Sequence, residues 1–243
     1  MLSPRNARVA AALAARFPDV QVADSNQAVL DGSDVVFLAV RPQVATEVMA
    51  GLQFRPEHRV VSLIATYSRD RIAALVRPAQ EVCCAVPMPT VSQHLGPTPI
   101  YPPDPVVASI FAGLGTAIEV TTEQELQALW ASSALMATYY MLLETVQAWL
   151  LRMGVPDSRA REHVAMMFEG LGRVPRLSPA SFVDTAQEFQ TKGGLNAQCV
   201  AQLQAAGVFD ALGSALDGIL TRIQGTVGPL PADPGTPAAD GEQ

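Results

Sequence analysis

The spacing of apolar residues changes character near residue 120 of this chain, and each side of the change predicts a different kind of element. On the N-terminal side, short apolar runs alternate with helical periodicity. Residues 7–17 read as a helix, 20–22 as a brief extended piece, and a second helix ends near Asp31-Gly32. The run Asp34-Val35-Val36-Phe37-Leu38-Ala39-Val40 follows and is closed by Arg41-Pro42. A β-branched run without polar alternation is apolar on both faces, as strands of a mostly parallel sheet covered on both sides are. Residues 43–51 predict a helix, 59–64 a strand, 68–76 a helix capped by Ser68, and 81–86 another strand. Short connections between such units favour right-handed crossovers and a doubly wound sheet.

Between residues 86 and 105 prolines crowd at positions 87, 89, 97, 99, 102, 103 and 105. Proline at that density argues against an ordinary helix or a central strand and predicts a meandering connection. Residues 105–114 then read as a short helix and 116–120 as a last edge strand. Beyond Thr121 no strand signal remains. Thr122 and Glu125 have capping-box spacing, and one long helix, apolar on several faces, is predicted up to Gly154. Further helices are expected over 156–171, 179–189, 195–204 and 210–223. The expected organisation is therefore a sheet domain over 1–120, a helical domain over 121–224, and a Pro/Gly-rich tail over 225–243. A helix apolar on several sides needs several partners, which implies a bundle or a dimer.

Composition narrows the function. The 243 residues are 49% hydrophobic with a net charge of -7, so there is no basic field for a phosphate backbone and nucleic acid is not expected as a partner. An anionic small molecule would instead be held by one or two local donors. Cys83, Cys84 and Cys199 have neither metal-ligand nor disulfide spacing, and the first two read as core residues of a protein in a reducing, cytoplasmic setting. No stretch approaches the roughly 18 consecutive apolar residues of a membrane span, so no membrane is expected. His58, His94 and His163 are too scattered for a metal site.

Candidate chemistry gathers at strand ends. Ala39, Val40, Arg41 and Pro42 end one strand, Ala65 and Thr66 the next, and Pro87 follows the third, which are the positions where open sheets place ligands. A dinucleotide-binding sheet would begin one strand and one Gly-rich turn before Met1. In that frame Ser3, Arg5 and Asn6 would lie just past the second strand, where an acid selects NAD. An Arg with small polar donors suits the extra phosphate of NADP, and NAD is the second choice. The same residues also read as a plain helix cap, and Arg41-Pro42 as a strand simply stopped by proline. In the helical half, Gln190-Thr191-Lys192-Gly193-Gly194-Leu195-Asn196 joins two helices and carries the chain's only lysine. Lys192, Gly193, Gly194 and Asn196 could receive a substrate anion at the new helix start, or form a surface turn. Ser132 and Ser133 could face the same pocket, or merely permit close helix packing. No residue is assigned as a catalytic nucleophile or acid.

These segments together resemble the pyrroline-5-carboxylate reductase family. Ala39-Val40-Arg41-Pro42-Gln43 is similar to its Val-Lys-Pro-Gln strand end, Ser62-Leu63-Ile64-Ala65-Thr66 to its Ser-Ile-x-Ala-Gly segment, and Val86-Pro87-Met88-Pro89 to its Met-Pro-Asn-Thr-Pro segment. The resemblance implies a Rossmann-like, mostly parallel sheet, here without the family's first strand and Gly-rich turn, followed by an all-helical dimerisation domain. It implies reduction of the C=N bond of a small imino acid with NADPH or NADH by a homodimer. Met88 stands for the family's Asn. Ala131-Ser132-Ser133-Ala134-Leu135 replaces Gly-Ser-Gly-Pro-Ala, and the loop at 190–196 replaces Thr-Ser-Pro-Gly-Gly-Thr-Thr. The alternative is a dimeric binding or regulatory protein that keeps the fold without catalysis.

Overall fold

The computed structural model describes residues 1–64 and 66–225, and its backbone contacts divide the chain into one compact unit over Met1–Trp130 and a second from Ala131 onward. In the first unit the helices α1 (Ala7–Arg16) and α2 (Asn26–Asp31) precede the strand β1 (Val35–Leu38). Then come α3 (Pro42–Ala50), β2 (Arg59–Ser62), α4 (Arg69–Leu75) and β3 (Glu81–Ala85). After a short 3₁₀ turn at Pro89–Gln93 follow β4 (Pro97–Tyr101), α5 (Pro105–Ala112), β5 (Thr116–Glu119) and α6 (Glu123–Ser132). The strands form one sheet in the order β1-β2-β3-β4-β5. β1, β2 and β3 are parallel, with Val36 opposite Val60 and Val60 opposite Val82.

Burial on both faces explains the unbroken apolar runs of β2 and β3, whereas β1, at the sheet edge, buries Val36 and Leu38 and leaves Phe37 of its other face exposed. Val36, Leu38, Val60 and Val82 pack with Leu30, Ala45, Met49 and Ile72 on the side of α2, α3 and α4. Val61, Cys83 and Ala85 pack with Val107 and Phe111 of α5 on the other. Successive strand residues point to opposite faces, so neighbouring apolar residues feed two separate cores. At the amino ends of β2 and β3, Arg59 pairs with Glu81 and, at 2.9 Å, with Asp104. The other Asp104 oxygen caps α5 by accepting from the Val106 and Val107 N–H groups. His58, in the connection just before β2, is fully buried. Its Nδ1 accepts from the Arg55 N–H, which leaves Nε2–H to donate to the Leu30 carbonyl.

Two expectations are corrected. The proline-dense stretch contains a strand, β4, placed between β3 and β5. It runs antiparallel to β3 and parallel to β5. The Gly96 and Ile100 carbonyls accept from Thr116 and Val120 of the β5 side, so Pro97 and Pro99 turn their backbone toward β3. Pairing on that side is confined to Cys84 with Tyr101 and Ala85 with Ile100, and the contribution of Pro99 there is a carbonyl accepting from Val86 N–H. Proline lacks only a donor, and these positions demand none. The piece at 20–22 forms no sheet strand; it makes a single parallel bridge between Leu2 and Val22.

The second correction concerns the long helix, which is two: α6 and α7 (Leu135–Arg152). At the joint Ala134 N–H donates to Ala131 O and Met136 N–H to Ser133 O, bonds one residue shorter than an α-helix makes. A Ser pair is a common place for such a break, because hydroxyls compete for the backbone. The capping box holds: Glu125 accepts from Thr122 N–H while Thr122 Oγ1 accepts from Glu125 N–H. Glu125 also accepts from Thr121, and these donors hold its carboxyl below the usual carboxylate range.

In the second unit α7 packs along α8 (Asp157–Leu177), followed by α9 (Phe182–Glu188), α10 (Leu195–Ala205) and α11 (Val208–Ile223), the last two packed together. Among the described residues no single helix is long and apolar enough to cross a membrane; α10 and α11, bent by 53°, meet that test only as a pair. Of the tail predicted over 225–243, all but Gly225 lies outside the described residues.

Candidate functional site

Because β1, β2 and β3 run parallel, their carboxyl ends share one edge of the sheet. Ala39, Val40 and Arg41 leave β1 there, and Pro42 occupies the first position of α3. Proline suits that position because its missing N–H has no helical partner. Arg41 is the N-cap in extended backbone, and its exposed side chain makes no capping bond. The Val44 N–H already donates to Arg41 O, so a ligand at this turn would meet the Gln43 N–H and the Arg41 guanidinium. Thr66 is exposed in the β2–α4 connection, and Pro87 is half-buried after β3. Ala65, the other residue assigned to this edge, lies outside the described residues.

Tyr67 joins two of these strand ends. Its ring is buried, and its hydroxyl donates to the Pro42 carbonyl at 2.9 Å. That leaves the Tyr67 oxygen to accept from Thr46 Oγ1 at 3.1 Å. The Arg71 guanidinium lies over the ring, 3.6 Å from its centre. Ser68 caps α4 by accepting from the Arg71 N–H, as its position before the helical run predicts. Neither Tyr67 nor Arg71 stands in a motif of the sequence. Tyr67 precedes the N-cap of α4 and Arg71 lies in its first turn, so no helical spacing marks the pair.

At the chain start, Ser3 Oγ donates to Asn26 Oδ1 at 2.6 Å and accepts from the Arg5 N–H. Asn6 is the N-cap of α1, accepting from Val9 N–H. The helix-cap reading of Asn6 is thus realised. It leaves the Asn6 amide nitrogen and the exposed Arg5 side chain as donors, with no carboxylate among residues 1–6. That donor set fits a phosphate dianion better than a ribose diol, which wants an acceptor.

In the second unit, Gly194 N–H donates to Thr191 O at 2.8 Å and closes a turn over Lys192 and Gly193. Gly193 has φ +73°, and a Cβ at Gly194 would stand 2.3 Å from Thr191 Oγ1. The group that approaches the glycine pair is therefore Thr191 itself. Asn196 donates to the Phe189 carbonyl across the turn, while the Lys192 side chain is exposed. Ser132 ends α6 and Ser133 sits in the α6–α7 joint.

Two family models match the chain. Residues 123–226 match the one described as pyrroline-5-carboxylate reductase dimerisation, and residues 1–66 the one described as NADP oxidoreductase, coenzyme F420-dependent. A pyrroline-5-carboxylate reductase of Haemophilus influenzae is 25% identical over 218 residues, covering 85% of this chain and 80% of that protein. The 1-pyrroline-5-carboxylate reductase structure from Streptococcus pyogenes superposes with a TM-score of 0.79 at 20% identity, covering 91% of this chain and 85% of the other. A Plasmodium falciparum pyrroline carboxylate reductase solved with NADP bound gives 0.75 at 15% identity, covering 85% and 82%. At these identities the structural likeness speaks for the fold: a Rossmann-like sheet followed by helices.

Proposed function

We propose that the chain is a member of the pyrroline-5-carboxylate reductase family and an NADPH-dependent oxidoreductase that reduces the C=N bond of a small anionic imine. The observation that carries the reading is the common carboxyl edge of three parallel strands, lined by Arg41, Pro42, Thr66 and Pro87. Ligands of open α/β sheets sit at that edge. Arg5 and the Asn6 amide would hold the extra phosphate of NADP, with Ser3 fixing the Arg5 backbone through its hydroxyl, and NADH would be the weaker donor. Ala39, Val40, Arg41, Pro42, Ala65, Thr66 and Pro87 would line the rest of the cofactor. NADPH, when bound, supplies the electron pair and hydrogen that reach the imine carbon. The nitrogen gains a proton, which a protonated cyclic imine already carries. The protein's own part is to bind, orient and exclude water, and no side chain need act as a nucleophile.

Ser132, Ser133, Lys192, Gly193, Gly194 and Asn196 are the substrate-side candidates. Leu195 and Asn196 stand where the family has two threonines, so Lys192 takes over part of the attraction for the substrate anion. This favours an anionic imine other than the family's usual one. The helical unit pairs two copies of the chain: Tyr140, Met141, Trp149 and Met153 of α7 and its end are exposed, from 51% to 65%. Surface of that kind is covered in a homodimer. A cytoplasmic location agrees with the unpaired cysteines.

The test is a titration with NADPH and NADH followed by reduced-nicotinamide fluorescence, then by the loss of its absorbance with a panel of cyclic imino acids. Saturable binding, tighter for NADPH, with oxidation by at least one carboxylated imine is expected. A dimeric, folded protein that binds neither dinucleotide would overturn the proposal. Arg5→Glu should narrow the preference for NADPH over NADH by about tenfold.

A further inference from the structure

Tyr67 and Arg71 form a built arrangement that no family residue quoted above accounts for. The Tyr67 ring is fixed at both ends. Its backbone N–H donates to Ile64 O, and its hydroxyl is tied into the first turn of α3 through Pro42 and Thr46. Arg71 is fixed by its own backbone, since its N–H donates to Ser68 Oγ. Its guanidinium then lies 3.6 Å above the ring centre, at stacking distance. Among the described residues Arg71 makes no ion pair, and the neighbouring Asp70 pairs with Arg69. A stacked guanidinium spends its face on the ring and keeps the N–H groups of its edge for an acceptor. In a chain of net charge -7, an arginine held in one orientation with no acid against it is a preset place for an anion.

We propose that Tyr67 and Arg71 are an oxyanion receptor at the carboxyl edge of the sheet, binding either a phosphate of the dinucleotide or the carboxylate of the imine. The inference rests on the reading that both reactants gather at that edge. Tyr67 is a positioning residue. Its hydroxyl clamps the β2–α4 connection to the start of α3, and its ring sets the plane of the guanidinium. The chemistry is the same for either source, a charge-assisted pair of N–H donors to two oxygens of one group.

The experiment compares wild type with Arg71→Gln, Arg71→Lys and Tyr67→Leu, each checked by thermal unfolding. The readouts are the dissociation constants of NADPH, NADH and inorganic pyrophosphate, and KM against kcat for a carboxylated imine and its carboxylate-free analogue. Arg71→Gln should weaken one arm by about tenfold or more. Weaker binding of both dinucleotides and of pyrophosphate assigns the pyrophosphate, and weaker NADPH alone assigns the additional phosphate. A raised KM for the carboxylated imine alone, with kcat kept, assigns the substrate. Arg71→Lys retains the charge but not the stacked fork and should recover only part of the loss, and Tyr67→Leu should weaken the same arm several-fold in a folded protein. If wild type binds NADPH and the Arg71 variants match it within twofold in every arm, the receptor is refuted while the function stands. If wild type binds no dinucleotide, the function falls. The receptor is then decided by pyrophosphate: Arg71-dependent binding upholds it, and binding that is absent or indifferent to Arg71 overturns it.

Discussion

In the sheet unit β1 to β4 each bury apolar side chains, and Val60, Val61, Ile72, Ala85, Ile100 and Val107 are inaccessible to solvent. From Ala131 onward only Ala131, Ala160 and Val164 are buried apolar residues among those described, while Tyr140, Met166, Phe182 and Leu195 are exposed. The first unit closes its core with its own helices. The second spends its apolar residues on surfaces that one copy of the chain does not cover. Burial is the main favourable term in folding, so the sheet unit's stability belongs to one chain, whereas the proposed dimer would make that of the helical unit depend on association. Polar groups follow the same division. Within the sheet unit buried His58 and half-buried Arg55 and Arg59 meet specific carbonyl or carboxylate partners, as groups taken from water must.

The sharpest way to break this comparison is Tyr140→Asp on α7. Sedimentation should show loss of the dimer, with the concentration dependence of helical unfolding disappearing as well; an unchanged dimer would mean that the exposed α7 face is not what pairs. Ile72→Ala acts on the other side of the contrast. It should cost about 3 kcal/mol in denaturant unfolding of the sheet unit, through lost burial and a residual cavity, and that loss should not vary with protein concentration.

A smaller effect separates the units by pH. Burial, first of all, pushes the Cys83 and Cys84 thiols up to about 12, above the ordinary value of about 8.5. The folded state keeps protons that the unfolded chain releases, so this contribution is whole below about pH 8.5 and is lost as pH rises toward 12. Iodoacetamide should accordingly alkylate exposed Cys199 in the native protein and reach Cys83 and Cys84 only on unfolding. The smallest change expected is Thr122→Ala, which removes the hydroxyl half of the reciprocal cap of α6 and should cost about 1 kcal/mol. Glu125 has the opposite pH sign. Its carboxyl is held low by the Thr121 and Thr122 donors, so its contribution is present at neutral pH and lost as pH falls through the depressed value. Glu125→Gln, which removes the titrating group, should therefore flatten the acid limb of the stability profile.

Local chemistry was sufficient wherever an element is specified by its own residues. Ser68, Thr122 with Glu125, and the apolar runs at 35–38 and 59–62 announced α4, α6, β1 and β2, because capping and burial leave marks within a few positions. β4 carried no such mark. Pro97 and Pro99 are admissible only because the neighbouring strand asks them for a carbonyl and not a donor, a condition set by residues more than ten positions away. The break between α6 and α7 was hidden for a related reason: an apolar pattern on all sides has no phase to lose. At the strand ends, Arg41, Thr66 and Pro87 were recognisable from their place after apolar runs. The bond from Tyr67 to Pro42 spans 25 positions, and the flat seat it gives Arg71 exists only once β1 and β2 lie side by side. Sequence alone determined the class of each unit and most of its helices, since those follow from short-range periodicity. Tertiary structure alone decided which prolines could enter a sheet, which histidine was buried and which arginine was held ready for an anion, because each depends on a partner that the chain brings near only by folding.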